Sequence, residues 1–154
     1  MRSHSLLAAA ALALALQGCA HAPPTGGASG AGPVRLDAAA RCELVRTLVQ
    51  EPEPARLLQS LKPASGPAPV MVFVRTDGLL ERFFTEDGQC HDTGFRVQRQ
   101  SDAEALVLYL EPTSQGGYSY EARRTSPDAL VLDGPPTGRV SRSDKGWVTS
   151  GEVP

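Results

Sequence analysis

Thiols and imidazoles are the side chains of this sequence that could do chemistry, and they are few. The cysteines are Cys19, Cys42 and Cys90, and His91 is the only histidine beyond the first 34 residues. His91 would therefore have to supply any general base of the folded part. The chain contains no Gly-x-Ser-x-Gly, no His-Glu-x-x-His and no closely spaced set of metal ligands. We therefore expect no enzyme activity, no catalytic residue, no metal site and no cofactor.

The first cysteine follows an apolar run, residues 6–16, that is built of Leu and Ala. Arg2 precedes this run and Gly18 lies directly before Cys19, which is the layout of a secretory signal. As a helix the run would be roughly 17 Å long, well short of the ~30 Å hydrocarbon core, so it predicts a leader rather than a membrane span. Residues 16–19, Leu-Gln-Gly-Cys, resemble the bacterial lipobox, whose cysteine accepts diacylglycerol before cleavage.

This resemblance implies that residues 1–18 are removed and that Cys19 becomes an N-terminus carrying covalent diacylglycerol and an N-acyl chain. Several acyl chains together anchor a protein stably, whereas one does not. Ala20 stands where many such lipoproteins have the Asp that retains them at the inner membrane. The resemblance therefore implies attachment to the outer membrane, on its periplasmic face or at the cell surface. The alternative is an ordinary cysteine beside a conventional cleavage site.

With Cys19 assigned to lipid, Cys42 and Cys90 are left as a pair. A disulfide is the usual fate of two remaining thiols in an oxidising compartment, and it would contribute on the order of 2–4 kcal/mol. Two free buried thiols are one alternative. A metal site is another, although two cysteines and His91 are few ligands for structural zinc.

Residues 20–34 are rich in Gly, Pro, Ala and Ser and hold no charged side chain, which is typical of a flexible tether. We assign residues 19–36 to the lipid anchor and tether, and residues 37–154 to one small β-rich domain. Residues 37–50 predict a helix, because Asp37 can cap it and apolar residues recur at helical spacing. Pro52 and Pro54 are expected to end this helix, before a possible second helix over residues 55–61.

From residue 69 the apolar period becomes that of β-strands, and Asp77-Gly78 and Asp87-Gly88 predict tight hairpins. The segments expected to form strands are 70–75, 79–85, 89–100, 105–112, 117–124, 129–133, 138–142 and 146–150. The predicted fold is α+β and mainly β. It is an antiparallel meander of about eight short strands, closed partly or fully into a barrel, with one N-terminal helix stapled by the Cys42–Cys90 disulfide.

Residues 118–134, YSYEARRTSPDALVLDG, resemble the late strand pair of small lipocalin-like lipoprotein domains. No Gly-x-Trp opens the domain, and the single tryptophan, Trp147, lies near its end. This resemblance implies a barrel that could hold one small apolar ligand. Residues 116–122, GGYSYEA, are also similar to the Gly-x-Tyr loop of small β-barrel inhibitors of lysozyme-like enzymes.

The charge balance is 15 basic against 17 acidic residues, a formal charge of −2, so nucleic acid is not an expected partner. Arg96, Arg99, Arg123 and Arg124 are expected to form a basic strip across adjacent strands and, with Trp147, an interaction surface. Such a strip could meet acidic lipid, lipopolysaccharide or a protein carboxylate. The alternative is an ordinary solvated sheet face.

These features together predict a non-enzymatic outer-membrane lipoprotein that docks on an envelope complex for secretion, assembly, adhesion or gliding motility. Its expected partners are the membrane, through the lipid anchor, and a protein of that complex. A lipocalin-like module for a small apolar ligand and a periplasmic inhibitor or immunity protein are the alternative functions.

Overall fold

A computed structural model describes residues 35–61, 66–125 and 137–151 of the chain. Two helices come first and are followed by strands. The elements are α1 (Ala38–Leu48), α2 (Pro52–Ser60), β1 (Ala68–Thr76), β2 (Leu79–Arg82), β3 (Phe95–Val97), β4 (Ala105–Pro112), β5 (Tyr118–Thr125), β6 (Gly138–Ser143) and β7 (Gly146–Ser150). The fold is therefore mainly β, as predicted. The expected leader, Cys19, most of the tether and the strand expected over residues 129–133 lie outside the described residues.

Helix α1 occupies the stretch where the sequence predicted it. The carboxylate of Asp37 accepts a hydrogen bond from the backbone N–H of Ala40 at 2.8 Å, which satisfies one of the unpaired donors of the first turn. Leu44, Val45 and Leu48 form the buried stripe of this helix. The apolar residues that recur at helical spacing therefore form the packed face of α1.

The possible second helix is present, in addition to the one N-terminal helix of the predicted fold. Helix α2 begins at Pro52, earlier than the expected residue 55. Proline is tolerated at the first helical position because the N–H that it lacks has no intrahelical partner there. The Pro-containing segment thus ends α1 and also starts α2.

The strands form one mixed sheet rather than an antiparallel meander. Its order is β2-β1-β4-β5-β6-β7, and β3 also pairs with β1. Strand β1 runs parallel to both β3 and β4, whereas the other pairs are antiparallel. The first residues of β1 and most of β4 are buried on both faces of the sheet. Such doubly buried strands lie at the centre of a sheet, where parallel pairing is common, and this is why the meander prediction failed.

The sheet is open within the described part of the chain, so the predicted barrel was also wrong. Strands β2 and β7 lie at opposite ends of the strand order and do not pair. The hairpin predicted at Asp77-Gly78 is present between β1 and β2. In contrast, Asp87-Gly88 lies in the long connection from β2 to β3, because β2 ends at Arg82 and β3 begins only at Phe95.

Both helices pack on one face of the sheet, and the main core lies between the helices and the sheet. Helix α1 contacts β7, and α2 contacts β4 and β5. The indole Nε1 of Trp147 donates a hydrogen bond to the carbonyl of Ala40 at 3.2 Å, which ties β7 to α1. The largest side chains that are fully buried in this core include Leu44, Leu48, Leu106, Leu108 and Leu110.

Candidate docking face

The sheet face turned away from the helices carries a second, smaller apolar cluster, and we call this side the outer face. Because side chains alternate along a strand, the register of β1 with β4 places Met71 beside Val107 and Phe73 beside Tyr109 on it. Leu80 of β2 packs against the same cluster. The outer face therefore has an apolar centre of its own.

Two stacked aromatic rings form that centre. The ring centroids of Phe73 and Tyr109 are 5.8 Å apart, with an interplanar angle of 22°. The guanidinium of Arg82 lies over the Phe73 ring, 5.5 Å from its centroid, at the distance of a cation–π contact. Burial raises the pKa of the Tyr109 hydroxyl, and this effect outweighs the opposing field of Arg123. The Phe73 ring thus supports the Arg82 side chain on the outer face.

Arginines of every described strand from β1 to β6 except β4 lie on the outer face around this aromatic pair. The strand registers place five arginines and two glutamates on the outer face, a formal charge of +3 among the described strand residues. The arginines are Arg75, Arg82, Arg96, Arg123 and Arg139, and the glutamates are Glu111 and Glu121. The whole chain carries −2. The outer face therefore has the opposite sign from the protein as a whole.

Glu121 and Arg123 form an ion pair within strand β5 on this face. Arg82, Arg96 and Arg139 are exposed to solvent, whereas Arg123 is only partly exposed. The outermost arginines are therefore the ones that a partner would meet first.

The predicted basic strip is divided by the structure. Arg96 and Arg123 lie on the outer face, but Arg124 points to the opposite side and binds Glu104 at 2.6 Å. Arg99 follows β3 in a loop, where its backbone N–H donates to the carboxylate of Asp87. Consecutive residues of a strand face opposite ways, so Arg123 and Arg124 share no surface.

Trp147, the remaining member of the predicted surface, is 9% exposed and belongs to the core. Three arginines that the sequence analysis did not single out, Arg75, Arg82 and Arg139, lie on the outer face instead. The Asp77-Gly78 turn could have indicated Arg75 and Arg82, because it fixes the hairpin register that sets Arg82 opposite Phe73 and Arg75 opposite Leu80.

The two cysteines of the domain lie close together where α1 contacts the connection that leads to β3. They are free thiols in this structure, and Cys42 is 6% and Cys90 1% exposed. The Cys42 thiol donates to the carbonyl of Gln89 at 3.1 Å, and the Cys90 thiol contacts the carbonyl of Cys42 at 3.8 Å. Burial, followed by the hydrogen bond with Cys42, raises the pKa of Cys90 to about 12. The predicted disulfide therefore stays a prediction, although its two members are brought together.

His91 is exposed beside the thiols, in an isolated bridge with Arg96. Its neighbour Asp92 binds Arg46 across 3.6 Å in an exposed ion pair.

Among the residues that the structure describes, no three His, Cys, Asp or Glu side chains are grouped as metal ligands would be. Within the same residues, neither helix has the length and apolar character needed to cross a bilayer.

A shallow cavity of about 210 Å³ lies at the turn between β4 and β5, against the first residues of β6. Its lining includes Gly116, Tyr118 and Arg139.

Comparison with known proteins adds no relative, because no family model, no curated protein and no solved structure matches the chain.

Proposed function

We propose that this chain is a non-enzymatic, lipid-anchored protein of the bacterial outer membrane that docks on an envelope complex through its outer face. The occupant of that face is an acidic protein surface of the complex. One observation carries this proposal: a face of formal charge +3 on a chain of net charge −2. An acidic partner is attracted to this face and repelled by the rest of the molecule.

Protein carboxylates suit this face because of the chemistry of arginine. The planar guanidinium binds a carboxylate through two parallel hydrogen bonds, and it is less strongly hydrated than an ammonium group. On the outer face, Arg82 rests on the ring of Phe73, which limits the conformations that the side chain must lose on binding. Arginine and tyrosine are also the residues that most often dominate the energy of protein interfaces.

The N-terminal sequence supports a location at the membrane. Residues 16–19 resemble a lipobox, and residues 20–34 have the composition of a tether spanning roughly 20 Å. A tethered domain meets a membrane-bound complex at a raised effective concentration, so a modest affinity of the outer face would be enough. Lipidation at Cys19 and docking by the outer face are therefore parts of one proposal.

The anchor is tested by labelling cells with radioactive palmitate and following the chain. The wild-type chain should incorporate label and fractionate with the outer membrane, and Cys19→Ser should do neither. Label on the Cys19→Ser chain, or an unlabelled wild type, would refute lipidation at this residue.

Docking is tested by mild crosslinking of envelopes followed by purification of the chain. The double variant Arg82→Glu, Arg139→Glu reverses two exposed charges of the outer face and should lose the crosslinked partner. Arg142→Glu is the matched control, because Arg142 is exposed on β6 but alternates to the other side of the sheet. The partner should be retained there. Equal retention by all three chains would refute docking through the outer face.

The two alternative functions fare differently. A lipocalin-like module requires a closed barrel, and the described strands form an open sheet. An inhibitor is favoured by one observation, namely that the Gly-x-Tyr pattern of residues 116–118 borders the shallow cavity. A lysozyme zymogram with the purified chain tests this second candidate, and undiminished clearing would refute it.

A further inference from the structure

Cys42 and Cys90 form a buried thiol pair that takes no part in the proposed docking. Cys42 lies on α1 and Cys90 lies in the connection that leads to β3. Each thiol makes its hydrogen bond next to the other cysteine: Cys42 to the carbonyl of Gln89, and Cys90 to the carbonyl of Cys42. The fold therefore holds the two sulfur atoms as neighbours, which is the first requirement for a disulfide.

Access is the second requirement, and the folded domain does not provide it. A thiol is oxidised by exchange when its thiolate reaches a sulfur of the oxidant and forms a mixed disulfide. Cys90 is 1% exposed and Cys42 is 6% exposed, so no protein oxidant can approach either sulfur in the folded state. The high pKa of Cys90, about 12 and caused chiefly by burial, also keeps that thiol protonated near neutral pH.

We propose that Cys42 and Cys90 are joined by a disulfide that is installed on the unfolded or partly folded chain and is then buried where α1 contacts the connection that leads to β3. The oxidant is a protein disulfide of the class that serves exported proteins. One thiolate attacks that disulfide and forms a mixed disulfide, which releases one thiolate of the oxidant. The second cysteine, as its thiolate, attacks the mixed disulfide and releases the other. The two thiols lose two electrons and two protons in all, and the oxidant ends as a dithiol.

The burial that blocks oxidation also protects the finished bond. A reductant must reach one of the same two sulfurs, and the folded domain excludes it in the same way. The geometry thus points to a permanent structural bond rather than a reversible redox switch. This inference does not depend on the outer face or on its partner.

The test compares oxidation of the folded and the unfolded chain. The protein is the full-length chain with Cys19→Ser, solubilised in detergent, so that Cys42 and Cys90 are its only thiols. The fully reduced chain is treated with oxidised glutathione at pH 8, once in native buffer and once in urea. Samples are then alkylated, and mass spectrometry counts the thiols that are left. Free cysteine is treated in both buffers to correct for any effect of urea on the exchange itself.

We expect the disulfide to form at least roughly 100-fold more slowly in native buffer than in urea, because native oxidation must await opening of the domain. Equal rates in the two buffers, for a reduced chain that has native Trp147 fluorescence in native buffer, would overturn the order of events. Failure to form an intramolecular disulfide both in urea and after the urea is diluted would overturn the bond itself.

A refolding step completes the test. The chain oxidised in urea should regain the native fluorescence of Trp147, whose indole is bonded to Ala40 on the same helix as Cys42. A chain that folds only when oxidised would also support the proposal, since its thiols could then react only before folding. An oxidised chain that does not refold, while the reduced chain does, would refute it.

Discussion

Replacement of Gly117 by alanine should break the junction between the β4–β5 turn and strand β6. Gly117 has a φ of +102°, and a Cβ built on it would lie 2.3 Å from the carbonyl oxygen of Val140 and 2.9 Å from the Cα of Ser141. Both neighbours are backbone atoms, so no side-chain rotation can make room. The alanine variant must either change its own backbone or move β6 away from β5, where Val140 is paired with Tyr118.

The size of the effect follows from two contributions. A Cβ at a positive φ costs roughly 1–2 kcal/mol, because the side chain approaches the following carbonyl oxygen. Displacement of packed backbone adds about 1–3 kcal/mol, as overpacking does elsewhere in protein interiors. Gly117→Ala should therefore lower the free energy of unfolding by about 2–5 kcal/mol.

Gly116→Ala is the matched control for this prediction. Gly116 lies in the same turn with a φ of +81°, but a Cβ built there meets no atom within 4 Å. This variant should show only the backbone contribution, about 1–2 kcal/mol. Urea unfolding followed by circular dichroism measures both variants. Equal losses for the two would refute the reasoning, because β6 would then not pass as close to the turn as the structure places it.

Three further predictions concern the core, pH and the thiols. Trp147→Phe removes the indole hydrogen bond to Ala40 and should lower the free energy of unfolding by about 1–3 kcal/mol in urea titrations followed by circular dichroism; no loss would mean that this bond is not made. Burial raises the pKa of Tyr120 from 10.0 to about 12, so its contribution to stability is complete below pH 10 and is lost as the pH rises toward 12. The urea midpoint should therefore fall over this range, and less steeply in Tyr120→Phe; an identical slope would contradict the assignment. In the oxidised Cys19→Ser chain, the Cys42–Cys90 bond closes a loop of about 49 residues, and its reduction should cost about 4 kcal/mol. A change below about 1 kcal/mol would argue that the bond does not stabilise the fold by restricting the unfolded chain.

The elements that the sequence predicted well are those with local signals. Asp37 caps α1 through a hydrogen bond to a residue three positions away, and the buried stripe repeats within one helix. The β1–β2 hairpin is similarly local, because Asp77 and Gly78 both adopt positive φ, at 53° and 79°, as its tight turn requires. A signal of this kind is complete within a few residues, so it can be read without knowing what packs against it.

The sheet order could not be predicted in this way, because its decisive pairing is distant in sequence. Strand β1 pairs in parallel with β4, and the register joins Val70 to Leu106 across the centre of the sheet. The segment 105–112 was interpreted by its alternation alone, although six of its residues in succession are buried. The continuous apolar run of residues 105–110, ALVLYL, was the available sequence sign of a central strand. Its partner still could not be named, since apolar strands carry little information about which neighbour they pair with.

The charge of the outer face could not be predicted from the composition of the chain. The total charge of −2 averages a positive outer face with a more negative remainder, so it predicts the sign of neither. Adjacent arginines 123 and 124 looked like one basic patch, yet the two-residue period of β5 turns them to opposite faces. Arg82 and Arg139 are 57 positions apart in the sequence, and the registers of β1, β4, β5 and β6 bring them onto one face. The proposed docking would therefore depend on strand register, and substitutions that shift the register should weaken it even where every arginine is kept.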